Sequence, residues 1–124
     1  MHVTQATHVR WNDLPRERLG ERLERRYVTG QHLTLAQFFL AKGCVVPVHE
    51  HESEQFAHVL SGRMRFRLGA NGAEVVDVAA GEVLLIPSWV EHQAEALEDT
   101  FELDIFSPIR QDWLDHTDDY FHRK

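Results

Sequence analysis

The residues of this chain best equipped for chemistry stand close together. His49 and His51 are one residue apart, and Gln55 follows four residues after the second. If this segment runs as a strand, its side-chain period of two puts positions 49, 51 and 55 on one face. Two imidazoles and an amide oxygen converging on one side begin a metal site. Imidazole suits Zn, Cu, Fe and Ni, and harder oxygen donors also suit Mn. Glu52 and Glu54 lie in the same stretch, and the same parity turns both away from the histidines. Gly43 and Gly62 frame the segment, and a further histidine, His92, comes later.

Such a set needs a rigid frame, and the chain reads as many short strands. Residues 1–26 are polar, and a loop or short helical turn is expected there. Arg16, Arg18, Arg22, Arg25 and Arg26 alternate with Glu17, Glu21 and Glu24, the pattern of a solvated surface. Strands are expected over 24–29 and 32–41, with a turn at Gly30. Residues 44–48 are apolar but interrupted by Pro47, which favours an edge or a bulge. A strand over 55–60 follows, then a turn at Gly62. Met64, Phe66 and Leu68 alternate with Arg63, Arg65 and Arg67, as in a half-buried strand. Asn71-Gly72 signals a hairpin leading into 74–78. The continuous apolar run 83–86 is expected as a fully buried strand, ended by Pro87. Strands over 92–96 and 100–106 complete the set, Pro108 stops the sheet, and a short helix within 111–120 carries Trp113. This succession of short strands and turns indicates an all-β sandwich or barrel.

With 124 residues the chain is long enough for a real core, and a single domain over 1–124 is expected. Its core lies at about 30–108, with an N-terminal arm over 1–29 and a C-terminal segment over 109–124. The net charge of −7 argues against a nucleic-acid partner held through its phosphates. No apolar run reaches membrane-spanning length, so no membrane partner is expected, and the first residues lack the apolar centre of a signal peptide. With one cysteine, Cys44, no internal disulfide forms, and a cytoplasmic location is expected. His2, His8, His116 and His122, near the termini, are expected to be solvated.

A second element matches the first: Gly81, then Pro87, then His92. Together the two resemble the cupin family. Its first motif is Gly, five residues, His-x-His, three or four residues, Glu, six residues, Gly; Gly43, His49, His51, Gln55 and Gly62 fit it. Its second is Gly, five residues, Pro-x-Gly, two residues, His, three residues, Asn; Gly81, Pro87 and His92 fit, with Trp89 in the glycine's place and Ala96 in the asparagine's. The resemblance implies a cupin β-barrel (a double-stranded β-helix, or jelly roll) with a short C-terminal helix. It implies one divalent metal ion, Ni, Zn, Mn or Fe, held by His49, His51, Gln55 and His92. Gln55 replaces the usual glutamate, leaving the site one negative charge poorer and the metal a stronger Lewis acid towards its other ligands. A homodimer is also implied, with the arm of residues 1–30 able to exchange between subunits.

A narrower resemblance runs through 53–63, 96–100 and 104–113. It is to the KdgF group, small cupins of pectin and alginate breakdown that convert 4,5-unsaturated monouronates to linear ketonised sugars. Their pattern has three histidines and a glutamine at the metal, and an Asp-x-Phe-x-x-x-Arg segment, here Asp104, Phe106 and Arg110. His58 stands where tyrosine is usual and Ile109 where a second proline is usual. The residues agree on their own terms. Phe101, Leu103 and Ile105 share one strand face, and Glu102, Asp104 and Phe106 the other. One face of a barrel strand packs outward against a second sheet or a subunit, and the other can line a cavity. A carboxylate and a ring beside a metal suit a sugar acid, and Arg110 can clamp its carboxylate unless it pairs with Asp112 or Glu91.

The expected function is therefore ring opening and enol-to-keto conversion of an unsaturated uronate, with Asp104 moving protons, Phe106 packing on the sugar and Arg110 holding the carboxylate. The alternatives are a metal-dependent dioxygenase, or another lyase or isomerase, acting on a small organic acid, and a non-catalytic small-molecule-binding cupin. His58 is expected to be buried and hydrogen-bonded, or to sit just outside the metal ligands. Trp113 is expected to pack, as is Trp89 unless it walls the pocket. Cys44, in an apolar run, is expected to be buried and inert.

Overall fold

β-Branched and aromatic residues fill the periodic segments, and each such segment forms a strand. The computed structural model describes residues 6–118. The expectations for His2 and His122, and for the end of a helix at 120, lie outside them. In chain order the strands are β1 (Glu17–Gly20), β2 (Leu23–Thr29), β3 (Thr34–Leu40), β4 (Val45–His49), β5 (Glu54–Ser61), β6 (Arg63–Leu68), β7 (Glu74–Ala79), β8 (Val83–Ile86), β9 (His92–Ala96) and β10 (Thr100–Ser107). One short helix follows, α1 (Gln111–Leu114). Six strands form one sheet in the order β1-β2-β3-β10-β5-β8, and four form the other in the order β4-β9-β6-β7. Every strand pairing among the described residues is antiparallel. This is the expected all-β barrel of two facing sheets with a C-terminal helix.

The period of two sorts the side chains. Phe38 and Leu40 of β3, Met64 and Phe66 of β6, and Val59 of β5 point between the sheets and form the core. Trp113 of α1, 1% exposed, closes this core from the C-terminal side against Tyr27, Phe38 and Phe106. Gly62 joins β5 to β6 at φ +91°, and a Cβ there would collide with the Asp99 carbonyl oxygen and the Thr100 hydroxyl. The glycine framing the motif is thus required both by its dihedral and by the chain packed against it.

Three expectations are corrected. The stretch before β2 was expected to be a loop or helical turn; it holds a 3-10 turn over Trp11–Asp13, then β1, which pairs with β2 at Glu17↔Arg25. Its mixed charges line an edge strand that completes a ladder, a context invisible to periodicity alone. Arg25, expected on a solvated surface, is 2% exposed. It points inward from β2, pairs with Asp118 at 2.8 Å and Glu17 at 3.3 Å, and lies 4.2 Å from the Trp113 ring. The run 83–86, expected to be wholly buried, is not: Ile86 is buried, but Val83 is 57% and Leu85 48% exposed. β8 is the last strand of its sheet, and among the described residues nothing covers that sheet's outer face there.

That outer face is apolar. Register pairs Val28 with Leu35, Leu35 with Ile105, Ile105 with Phe56, and Phe56 with Leu85. An unbroken apolar row therefore crosses β2, β3, β10, β5 and β8, facing away from the second sheet.

Candidate metal centre

A backbone irregularity turns His49 inward. β4 and β9 pair at Val46↔Ala94 and again at His49↔His92, so three steps on β4 match two on β9. Val46 and Ala94 are core residues, and simple alternation would leave His49 on the outer face. The extra residue, next to Pro47, restores it to the inner face opposite His92. His51 lies beyond the end of β4, in the turn before β5. Its backbone oxygen accepts from Trp89 N–H at 2.9 Å. The three residues 49, 51 and 55 therefore do not share one strand face. His49 comes from one sheet, His51 from a loop and Gln55 from the other sheet. Glu52 and Glu54 are exposed, as parity required.

The histidines converge, each offering a ligand nitrogen within 4.8 Å of the others', an arrangement able to hold a metal ion. Each Nδ1 contacts a nearby carbonyl oxygen: His49 that of Pro47 at 2.7 Å, His51 that of Ser53 at 2.8 Å, His92 that of Val90 at 2.8 Å. A carbonyl only accepts, so Nδ1 carries the hydrogen and Nε2 presents its lone pair. Nε2 of His51 and of His92 are buried without a protein partner. Burial, reinforced by His92, lowers the His49 pKa to about 2. Burial, with Arg110, lowers that of His51 to about 4, and burial lowers that of His92. At neutral pH all three imidazoles are uncharged, the form that ligates. These donors fit a divalent transition metal; nothing in the geometry selects which.

Gln55, 6% exposed, lines the same cavity as His49 and His92. Its Nε2 donates to Asp104 Oδ2 at 3.0 Å, and its Oε1 is buried without a protein partner. Asp104 is 2% exposed, and β10 places Glu102 beside it, 4% exposed and facing the same cavity. Burial and the neighbouring Glu102 raise the Asp104 pKa well above the usual carboxylate range, and burial raises that of Glu102. Sequence reasoning placed Glu102 on the face of Asp104 and gave it no role. The signal was available: two acids at i and i+2 of a cavity-facing strand.

Phe106 is 2% exposed and meets His51 edge-on, with ring centroids 5.7 Å apart. Arg110, also 2% exposed, donates from Nε and Nη2 to the two oxygens of Asp112, at 2.9 and 2.7 Å. Of the two partners weighed for it, Asp112 is the one observed. Its guanidinium lies 4.8 Å from the Phe106 ring and 4.5 Å from that of Trp113, and its backbone N–H donates to Thr34 Oγ1 at 3.0 Å. Burial raises the Asp112 carboxyl, but Arg110 outweighs it and the net shift is downward.

Two further expectations are corrected. His58 neither sits near the histidine cluster nor is buried. It is partly exposed on the outer face, opposite Val83 and Leu103, because it falls on the even positions of β5. Trp89 is 62% exposed and does not line the central cavity. Its φ of +63° explains why the resemblance expects glycine there. Trp113 packs as expected. Cys44 is buried, and burial pushes its thiol up to about 11, which keeps it inert.

Comparison with known proteins agrees with this geometry. The family model described as cupin domain matches residues 36–107. KdgF from Halomonas sp. is 24% identical, over 86% of this chain and 99% of that one, with a TM-score of 0.77. An RmlC-like cupin from Shewanella frigidimarina is 24% identical, over 90% and 99%, with a TM-score of 0.78. A mutant of Bacillus subtilis oxalate decarboxylase is 25% identical over 86% of this chain, which spans only 31% of the decarboxylase, with a TM-score of 0.75. At such identities the likeness to the first two is one of fold. The curated proteins give no match. A family match over more than half the chain, the two facing sheets and the inward histidine cluster lead to one conclusion: this chain belongs to the cupin family.

Proposed function

We propose that this cupin opens and ketonises 4,5-unsaturated monouronates. The observation that carries the proposal is that Asp104, Phe106 and Arg110 line the same cavity as His49, His92 and Gln55. A divalent ion held by His49, His51, His92 and Gln55 would supply Lewis acidity towards the ring or carboxylate oxygen of the sugar. The remaining tasks fall to the chain. The substrate is a cyclic hemiacetal whose ring oxygen is bonded to an alkene carbon. Its hemiacetal hydroxyl loses a proton, the bond from the hemiacetal carbon to the ring oxygen breaks, and the ring oxygen, still on the alkene carbon, takes up a proton as an enol. The enol then loses that proton while the adjacent carbon gains one, giving an aldehyde and a ketone with no atom gained or lost. Asp104 carries these protons, within reach of Glu102. Phe106 forms an apolar wall for the sugar. Arg110 lines the cavity while paired with Asp112, and it would take the carboxylate by sharing or exchanging that pairing.

The test is to mix metal-loaded protein with unsaturated monouronate and follow the alkene absorbance. Loss at the spontaneous rate sinks the proposal. The likeness to oxalate decarboxylase favours a second reading, in which the same cavity takes a small organic acid as a lyase or dioxygenase would. Turnover of oxalate, or consumption of oxygen by iron-loaded protein, would support that reading instead.

We also propose that a second copy of this chain covers the outer face of the six-stranded sheet. The row from Val28 to Leu85 carries no charge, so a two-fold rotation lays it on itself without placing like charges together. Exposed apolar surface of this kind marks a contact.

A further inference from the structure

α1 is a single turn, and its one buried residue is Trp113, 1% exposed. The ring lies among those of Tyr27, Phe38 and Phe106, with the guanidinium groups of Arg25 and Arg110 at 4.2 and 4.5 Å. Phenylalanine rings and guanidinium groups offer an N–H no acceptor. Trp113 Nε1 is accordingly buried without a protein partner. A buried indole N–H is normally paired, and leaving it unpaired destabilises a fold. A phenylalanine would fill this aromatic cluster without an orphaned donor, so packing alone does not call for tryptophan. Trp113 also lines the cavity of the candidate metal centre. The other side-chain nitrogens with hydrogen to give are engaged there. His49 Nδ1 and His92 Nδ1 meet backbone carbonyls, Gln55 donates to Asp104, and Arg110 donates to Asp112. The Trp113 N–H is the one such group on the cavity wall for which the described residues supply no acceptor.

We propose that Trp113 is a ligand-binding residue: its N–H donates to a carboxylate oxygen of an acid that engages Arg110. The two residues stand three apart in the chain, and the guanidinium rests beside the indole ring. A carboxylate drawn to Arg110 therefore arrives next to the unpaired donor. It has two oxygens, so one can serve Arg110 while the other takes the indole proton. A hydrogen bond to an ionised acceptor is stronger than one between neutral groups. The inference rests on the reading that this cavity takes a small acid, and it holds for a uronate and for a smaller acid alike.

The experiment is ¹⁵N–¹H NMR of the indole groups in Zn²⁺-loaded protein, where the ion is diamagnetic. The chain has three tryptophans, and the signal lost in Trp113→Phe is that of Trp113. Saturating D-galacturonate, a monouronate without the alkene, should move the Trp113 proton downfield and slow its exchange with solvent. Galactose, which lacks the carboxylate, should do neither. In calorimetry, Trp113→Phe should bind galacturonate about tenfold more weakly, the low end for a hydrogen bond to a charged group, and should hold Zn²⁺ as the native chain does. If Trp113→Phe does not fold, benzothienylalanine installed at position 113 replaces the N–H by sulfur within the same ring shape, and its acid affinity is read instead. Undiminished acid affinity in the folded variant overturns the proposal. So does a Trp113 signal that neither galacturonate nor oxalate moves, and so does the same shift with galactose. A response to oxalate but not to galacturonate upholds the proposal and overturns the uronate reading. A response to galacturonate in a protein that does not ketonise unsaturated uronates upholds the proposal and overturns only the proposed activity.

Discussion

The two faces of β10 invert the usual arrangement of a sheet. Inward, Glu102 and Asp104 are 4% and 2% exposed; outward, on the same sheet, Phe56 and Leu85 are 41% and 48% exposed. Burying a carboxyl without a cation costs several kcal/mol unless it is protonated or hydrogen-bonded. Leaving hydrocarbon in water forgoes about 25 cal/mol for each Å² not covered. A chain built for stability alone would exchange these faces. The difference separates the two faces: the interior presents carboxyls and ligand lone pairs, and the exterior presents uncovered hydrocarbon.

The sharpest way to test that division is to remove charge from the inside. Asp104→Asn keeps the shape and removes the proton carrier, so uronate ketonisation should fall by about 10²–10⁴-fold in a steady-state assay. The variant should melt no lower than the native chain, because it loses a buried acid. Full activity would end the proton-carrying role. His92→Ala removes a ligand and should weaken Ni²⁺ binding by more than about 100-fold in calorimetry, beyond what partners of ligands cost. Unchanged affinity would mean that the cluster is not the metal centre. On the outer face, Leu85→Lys should leave metal binding untouched and halve the mass seen by light scattering. A native chain that is already monomeric would remove the contact from the comparison. The smallest effect is expected from protons. Burial lowers the histidine pKa values, to about 4 for His51 and about 2 for His49, so the folded imidazoles are neutral where solvated ones are half protonated, at about pH 6.5. Metal binding near pH 6 should therefore displace almost no protons from them, as read from calorimetry in buffers of different ionisation heat. The same shifts fix a sign for stability. Below about pH 6.5 the unfolded histidines take up protons and the folded ones do not, so their contribution destabilises the metal-free protein as pH falls through that window.

Much of the interior was legible because strand alternation is a strong code. The inward set of Glu102, Asp104 and Phe106 and the outward set of Phe101, Leu103 and Ile105 follow from parity, and the structure keeps them. His49, His51 and His92 converge and Gln55 lines the same cavity as His49 and His92, but not for the reason that parity supplied. An extra residue beside Pro47 reverses the parity of His49, and a loop carries His51. The pairing partner that fixes a bulge is not local, so the sequence shows the proline but not its consequence. Val83 and Leu85 misled in the opposite way. A continuous apolar run reads as buried, and only sheet order reveals an edge strand with an uncovered face. Arg25 failed similarly: its charge reads as solvated, while its place opposite Glu17 and over Trp113 depends on elements far apart in the chain.

Two guanidinium groups lie near the Trp113 ring, that of Arg25 at 4.2 Å and that of Arg110 at 4.5 Å. The chain has three tryptophans, and among them Trp113 is the one fully enclosed, with Trp89 largely in water and Trp11 near the surface. An indole this close to two cations is a built-in fluorophore for whatever shifts either of them. A carboxylate that draws on Arg110 changes the field across that ring, so ligand arrival can be read from the intrinsic emission of the unlabelled chain.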